Sequence, residues 1–174
     1  MKYSQEYMAL MEQEAPHLID HLRYLEVLSQ ESDRGRVLVT ASMLDDVLTR
    51  LLQARLIEGT SSRDMLRGRN APLGTFYAKI TAAHALGLIS DTWHAELNLL
   101  REIRNIFAHS IFSTFNDEKV FNRCNDLRLA VPEKATDANG ALERYWMSAS
   151  AMLVISLDAL HEGRIGRIKQ FPIA

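Results

Sequence analysis

The chain holds a single cysteine, Cys124, in 174 residues. An intramolecular disulfide is therefore excluded, and such usage fits a reducing cytoplasm. Long apolar runs are missing as well. None approaches the roughly 18 residues of a membrane span, and the N-terminus lacks the basic-then-apolar order of a signal peptide. There is no excess of positive charge. A formal net charge of −2 argues against a nucleic-acid coat, which needs dense Lys and Arg to displace counterions. A locally basic cleft stays compatible with that balance. Internal repeats, low-complexity blocks and strand alternation are also absent, save a short apolar stretch at Phe112–Phe115.

What remains is ordinary for a folded domain: 47% hydrophobic and 24% charged residues, in a chain long enough to bury one core. Of the 20 cationic residues most are Arg, a bias that suits planar recognition of phosphate or carboxylate. Apolar positions recur at helical spacing almost throughout. Residues 4–30 carry Met8, Met11, Leu18, Leu22, Leu25 and Leu28, with Pro16 forcing a restart or a kink. Ser32 or Asp33 can cap a second helix whose buried line is Val37, Ala41, Leu44, Leu48, Leu52 and Leu56, closed by Gly59. Ser61 and Asp64 resemble a capping box for a short helix ending near Gly68. A fourth helix spans about Leu73 to Leu86 and stops at Gly87; Ser90 or Asp91 then caps the next. A shorter helix follows from Asp117 to about Leu129, then a loop over Val131 to Gly140, then a strongly apolar helix from Ala141 to about His161. The expected architecture is an all-α, single-domain helical bundle over residues 1–163, with 164–174 as a loose basic tail.

The most informative stretch runs from Leu99 to Ser110. At about 100° per residue, Leu97, Leu100, Ile103, Ile106, Phe107 and Ile111 share one side of the cylinder. Arg101, Asn105 and His109 descend the other side at four-residue spacing, close enough for neighbours to touch. Arg104 lies at the rim. Burying one face does not require this polar row.

Arg-x4-His alone arises by chance about half a time in a chain of this composition. The longer string Arg104-Asn105-x-Phe107-Ala108-His109 is far less accidental. On this motif the chain resembles the HEPN superfamily, whose enzymatic members are largely metal-independent endoribonucleases. Pro72-Leu73-Gly74, Leu86-Gly87-Leu88-Ile89 and Leu100-Arg101-Glu102, with Gly35 to Leu52, resemble the mannitol operon repressor (MltR) family over about residues 33–125. The two resemblances agree in fold and differ in function.

The first implies an endoribonuclease. His109 would act as base or acid on the 2′-OH or the leaving oxygen. Arg104 would clamp the phosphate, Asn105 would hold the imidazole or a phosphate oxygen, and Arg101 would add substrate phosphate-binding charge. Residues five apart lie about 140° apart on a regular helix, so Arg104 and His109 of one chain do not converge. A homodimer, which the HEPN resemblance implies, would bring two copies of each into a shared cleft. The second resemblance implies a transcriptional regulator or co-repressor acting without catalysis. Simpler roles are also open to these residues: His109 can cap its helix through the dipole, and Arg104 can pair with Asp45 or Asp46.

His17-x-x-Asp20-His21 has zinc-like spacing. Asp is a carbon short as a general base and a third ligand is lacking, so two solvated histidines are the expectation. Arg63, Arg67 and Arg69 form a basic patch that reads foremost as a solvated helix face. Asp45 and Asp46 read as salt-bridge partners for cations, Cys124 as apolar filler, and Met8, Met11 and Met43 as core. No metal or cofactor is expected. Expected partners are a second copy of the chain, RNA, and a protein such as an antitoxin. A membrane is not among them. Direct DNA reading is disfavoured, because Asp117 to Leu129, the nearest approach to a recognition helix, has acidic neighbours.

Overall fold

The computed structural model describes residues 3–68, 70–130 and 133–169. Within them are eight α-helices, a 3-10 turn and no strand. In chain order these are α1 (Gln5–Glu14), the turn Pro16–Leu18, α2 (Ile19–Leu28), α3 (Asp33–Arg55), α4 (Thr60–Leu66), α5 (Phe76–Ala85), α6 (Asp91–His109), α7 (Glu118–Asp126) and α8 (Ala138–His161). No helix of the described residues is long and apolar enough to cross a membrane.

The central element is α3, which packs against α8, α6 and α5. Its inner line, Val37, Ala41, Leu44, Leu48 and Leu52, is buried as the periodicity predicts. Around it close Leu97, Leu100, Ile103 and Phe107 of α6, and Tyr145, Ala149, Met152 and Leu153 of α8. Phe115 in the loop after α6 is also buried. Its ring centre lies 5.3 Å from that of Phe107 and 6.0 Å from that of Tyr145. Phe115 thus anchors a loop, and the stretch Phe112–Phe115 forms no strand.

Helix ends follow local chemistry where the right residue is available. Ser32 and Ser90 accept the N–H groups of Gly35 and Trp93 and start α3 and α6. Gly87, at φ +68°, ends α5: its N–H donates to the His84 carbonyl, and that of Leu88 reaches back to Ala83.

Other expectations are corrected. Gly59 does not close α3, which ends at Arg55; it stands before α4. The Ser61–Asp64 capping box does not form, since α4 starts at Thr60 without a side-chain cap and Ser62 donates to the Ile57 carbonyl instead. Helix α5 begins three residues late, at Phe76. The Pro72-Leu73-Gly74 segment is tied back by Leu73 N–H to Met65 O (2.8 Å), and Thr75 caps through Ala78 N–H. Helix α8 begins early, because Asp137 accepts from Gly140 N–H at 2.8 Å. Ile111 lies past the end of α6 and is 73% exposed. Met43 packs on the core, whereas α1, which carries Met8 and Met11, buries no residue. Residues 164–169 lie along the end of α3: Arg55 Nη1 donates to Gly166 O (2.7 Å), Ile168 N–H to Arg55 O (2.8 Å), and Arg167 pairs with Glu58.

Candidate functional site

The polar row of α6 reaches solvent. Arg104 and His109 are exposed, and Arg101 and Asn105 are half-buried. The contacts within the row differ from those expected. Asn105 Oδ1 accepts from Arg104 Nη1 at 3.1 Å, and no hydrogen bond joins Asn105 to His109 among the described residues. Arg101 is oriented from the preceding turn: its Nε donates to Asn98 Oδ1 at 3.3 Å. Its guanidinium carbon sits 5.2 Å from the ring centre of Tyr77 on α5, within cation–π range.

Arg101, Arg104 and Asn105 line one wall of an open cleft of about 500 Å3. Ala41, Ser42 and Asp45 of α3 form a second wall, and the start of α5, Gly74 to Tyr77, forms the third. Asp45 does not pair with Arg104. Its Oδ2 binds Lys79 Nζ at 2.6 Å, and Lys79, a buried cation of α5, is thereby neutralised. Thus the acid in the cleft is paired through Oδ2, while its Oδ1 is buried without a hydrogen-bond partner, and both arginines keep donors that no acceptor among the described residues takes.

His109 is not part of this cleft. It occupies the last position of α6, where a cation would be favoured, but Arg34 of α3 has taken that role. Arg34 donates to Ser110 O (2.9 Å) and Ala108 O (3.3 Å). The imidazole of His109 has no protein partner among the described residues. Beyond it, Ile111 and Phe112 stand 73% and 84% exposed. One chain therefore brings Arg101, Arg104 and Asn105 together and leaves His109, one turn beyond Asn105 along α6, outside the cleft.

The other candidates are absorbed by structure. His17 Nε2 contacts Asp158 Oδ1 at 2.6 Å and its ring stacks on His161 at 4.1 Å. His21 is buried, and burial pushes its imidazole below the usual value of 6.5. They are not the solvated pair expected from the sequence. No group of three or more His, Cys, Asp or Glu suited to a metal occurs among the described residues. Cys124 is buried, and burial raises its thiol to about 12 despite the smaller opposing influence of Arg144. Arg63 and Arg67 are exposed, and Arg69 lies outside the described residues.

A solved chain from the X-ray structure of the MtlR–HPr complex of Escherichia coli aligns with TM-score 0.52 and 21% identity. The alignment covers 81% of this chain and 95% of that one. The fold is MtlR-like. No protein-family model and no curated protein matches the chain.

Within the MtlR-like fold, the residues that sequence reasoning missed are Tyr77 and the α5 N-terminus. Thr75, a standard N-cap residue following a Pro-Leu-Gly turn, was the available signal. A second polar centre also escaped notice. Glu96 of α6, 1% exposed, accepts from the N–H groups of Arg128 and Leu129 and from Ser148 Oγ. Arg144 of α8 is also buried, and donates to the carbonyls of Cys124, Leu127 and Glu133. This network joins α6, α7 and α8 and is structural in its bonding.

Proposed function

We propose that the chain is a non-catalytic regulator that acts by binding a protein partner, in the manner of the MltR family, with HPr as the first partner to test. The observation carrying this reading is the alignment over 95% of a chain solved in complex with HPr. The exposed Ile111–Phe112 tip supports it, since adjacent large apolar side chains in solvent are suited to a protein interface. A cytoplasmic location and homodimerisation belong to the same reading. Titration calorimetry of HPr into the purified protein is the test. Saturable binding, weakened by Phe112→Asp, is the expected result; no binding at any accessible concentration overturns the reading.

A second reading is favoured by a different observation. The row Arg104, Asn105 and His109 is open to solvent, and the imidazole is unpartnered. Two such rows facing one another across a homodimer would supply a metal-independent endoribonuclease. His109 would exchange the proton of the 2′-OH attack, and Arg104 would stabilise the charge on the phosphate. RNA cleavage that persists in EDTA and vanishes in His109→Ala is the outcome this reading requires; its absence leaves the non-catalytic one.

A further inference from the structure

We infer that the cleft between α3, α5 and α6 is a binding site for a small phosphate monoester, which the protein holds without cleaving. Three sources of positive potential meet there. Arg101 is fixed in place by Asn98 Oδ1 and lies against Tyr77, so little side-chain freedom remains to be lost on binding. Its two terminal amino groups have no acceptor among the described residues. Arg104 stands one turn further along the same face and donates to Asn105 through Nη1, its other N–H groups having no acceptor among the described residues. Helix α5 opens into the same space. Thr75 Oγ1 satisfies Ala78 N–H, and the N–H groups of Phe76 and Tyr77, residues that line the cleft, have no acceptor among the described residues. Fixed N–H groups at a helix start favour an anion, and two guanidinium groups beside them match a doubly charged phosphate by fork geometry.

The charge of the one acid lining the cleft is offset by Lys79, bonded to Asp45 Oδ2 at 2.6 Å; its Oδ1, buried without a partner, is an acceptor for a ligand hydroxyl. Ser42 Oγ, which donates to Leu38 O, retains lone pairs for a ligand hydroxyl. A volume of about 500 Å3 is that of a small-molecule site. His109, the proton-exchanging group of the α6 row, lies outside the cleft of its own chain, so that row offers the bound ester no general acid or base there. The inference goes beyond partner binding and does not depend on it.

Calorimetry with ribose 5-phosphate, inorganic phosphate, ribose and a short single-stranded RNA provides the test. Ribose 5-phosphate is expected to bind saturably and to weaken with added salt. Inorganic phosphate competes more weakly, and ribose does not bind. Arg101→Gln and Arg104→Gln each reduce affinity about tenfold or more, as loss of a charge-assisted bond would, while Lys119→Gln on α7 changes nothing. Unaltered melting and helical content confirm that the variants fold. Failure of ribose 5-phosphate to bind, or equal binding by the double variant, overturns the inference. So does tighter binding of the RNA at the same arginines, which would assign the cleft to nucleic acid. HPr titrated into the double variant without ester keeps the two ideas apart. Partner binding without ester uptake rejects this inference alone, and the reverse rejects only the partner reading.

Discussion

Glu96 of α6 accepts the hydroxyl proton of Ser148 of α8 at 2.6 Å, where both side chains are sealed from water. The same carboxylate takes the N–H groups of Arg128 and Leu129 just past α7. One side chain therefore ties three segments. Removing it in Glu96→Ala orphans three donors, each costing about 1–3 kcal/mol when buried. A loss of about 3 kcal/mol in denaturant unfolding is expected. Glu96→Gln, which keeps the volume and one acceptor oxygen, is expected to lose roughly half as much.

Lys79 and Asp45 join α5 to α3 beside the cleft. The Lys79 side chain is 7% exposed and that of Asp45 33%, so the pair is only partly desolvated. Asp45→Asn strands the more deeply buried cation and should cost about 2 kcal/mol, less than the roughly 3–5 of a fully buried pair. The double variant Asp45→Leu with Lys79→Met should recover most of that loss, because both charges go together. Chemical denaturation of the double variant beside the single variants Asp45→Leu and Lys79→Met checks it. If the double variant loses the sum of the two single losses, the two groups are not coupled.

Arg34 secures the end of α6 from a helix that starts far upstream. Arg34→Met keeps the aliphatic stem and removes the donors to Ala108 O and Ser110 O. A loss of about 1 kcal/mol is expected, with amide exchange speeding up in the last turn of α6 and little elsewhere. Uniform acceleration across the bundle would contradict a local capping role.

Burial holds the pKa of His21 below its ordinary 6.5. The unfolded chain therefore takes up this proton at a higher pH than the folded one. Its contribution is fully present above about pH 6.5 and is lost as pH falls through the lowered folded value. His21→Leu, packing beside Tyr24, should flatten the acid side of the stability profile relative to the parent protein. Identical slopes below about pH 6.5 would rule out His21 as a contributor.

With its thiol raised to about 12 by burial, Cys124 is almost entirely protonated near neutral pH. Native protein at about pH 8 should resist a thiol-specific reagent and react once unfolded. Rapid native-state labelling would mean that α7 opens locally.

Much of this was written in local pattern. The stripe Leu97, Leu100, Ile103 and Phe107, the caps Ser32 and Ser90, and the stop at Gly87 each depend on residues within a turn or two, so periodicity and cap chemistry suffice to locate them. The polar row of α6 was legible for the same reason. Its division was not: Arg101 and Arg104 share a cleft because α5 brings Gly74 to Tyr77 to face them, and nothing in α6 itself specifies that neighbour.

The amino-acid sequence alone determined a helical chain with one amphipathic helix bearing Arg101, Arg104, Asn105 and His109, because side-chain direction repeats with the backbone turn. Only the tertiary structure decided which polar groups go inside. Glu96 is buried because Arg128 and Ser148, 32 and 52 positions away, meet it, and Arg34 frees His109 from capping across 74 and 76 positions. A charged side chain can leave water only where distant partners replace its hydration, and those partners are assembled by packing.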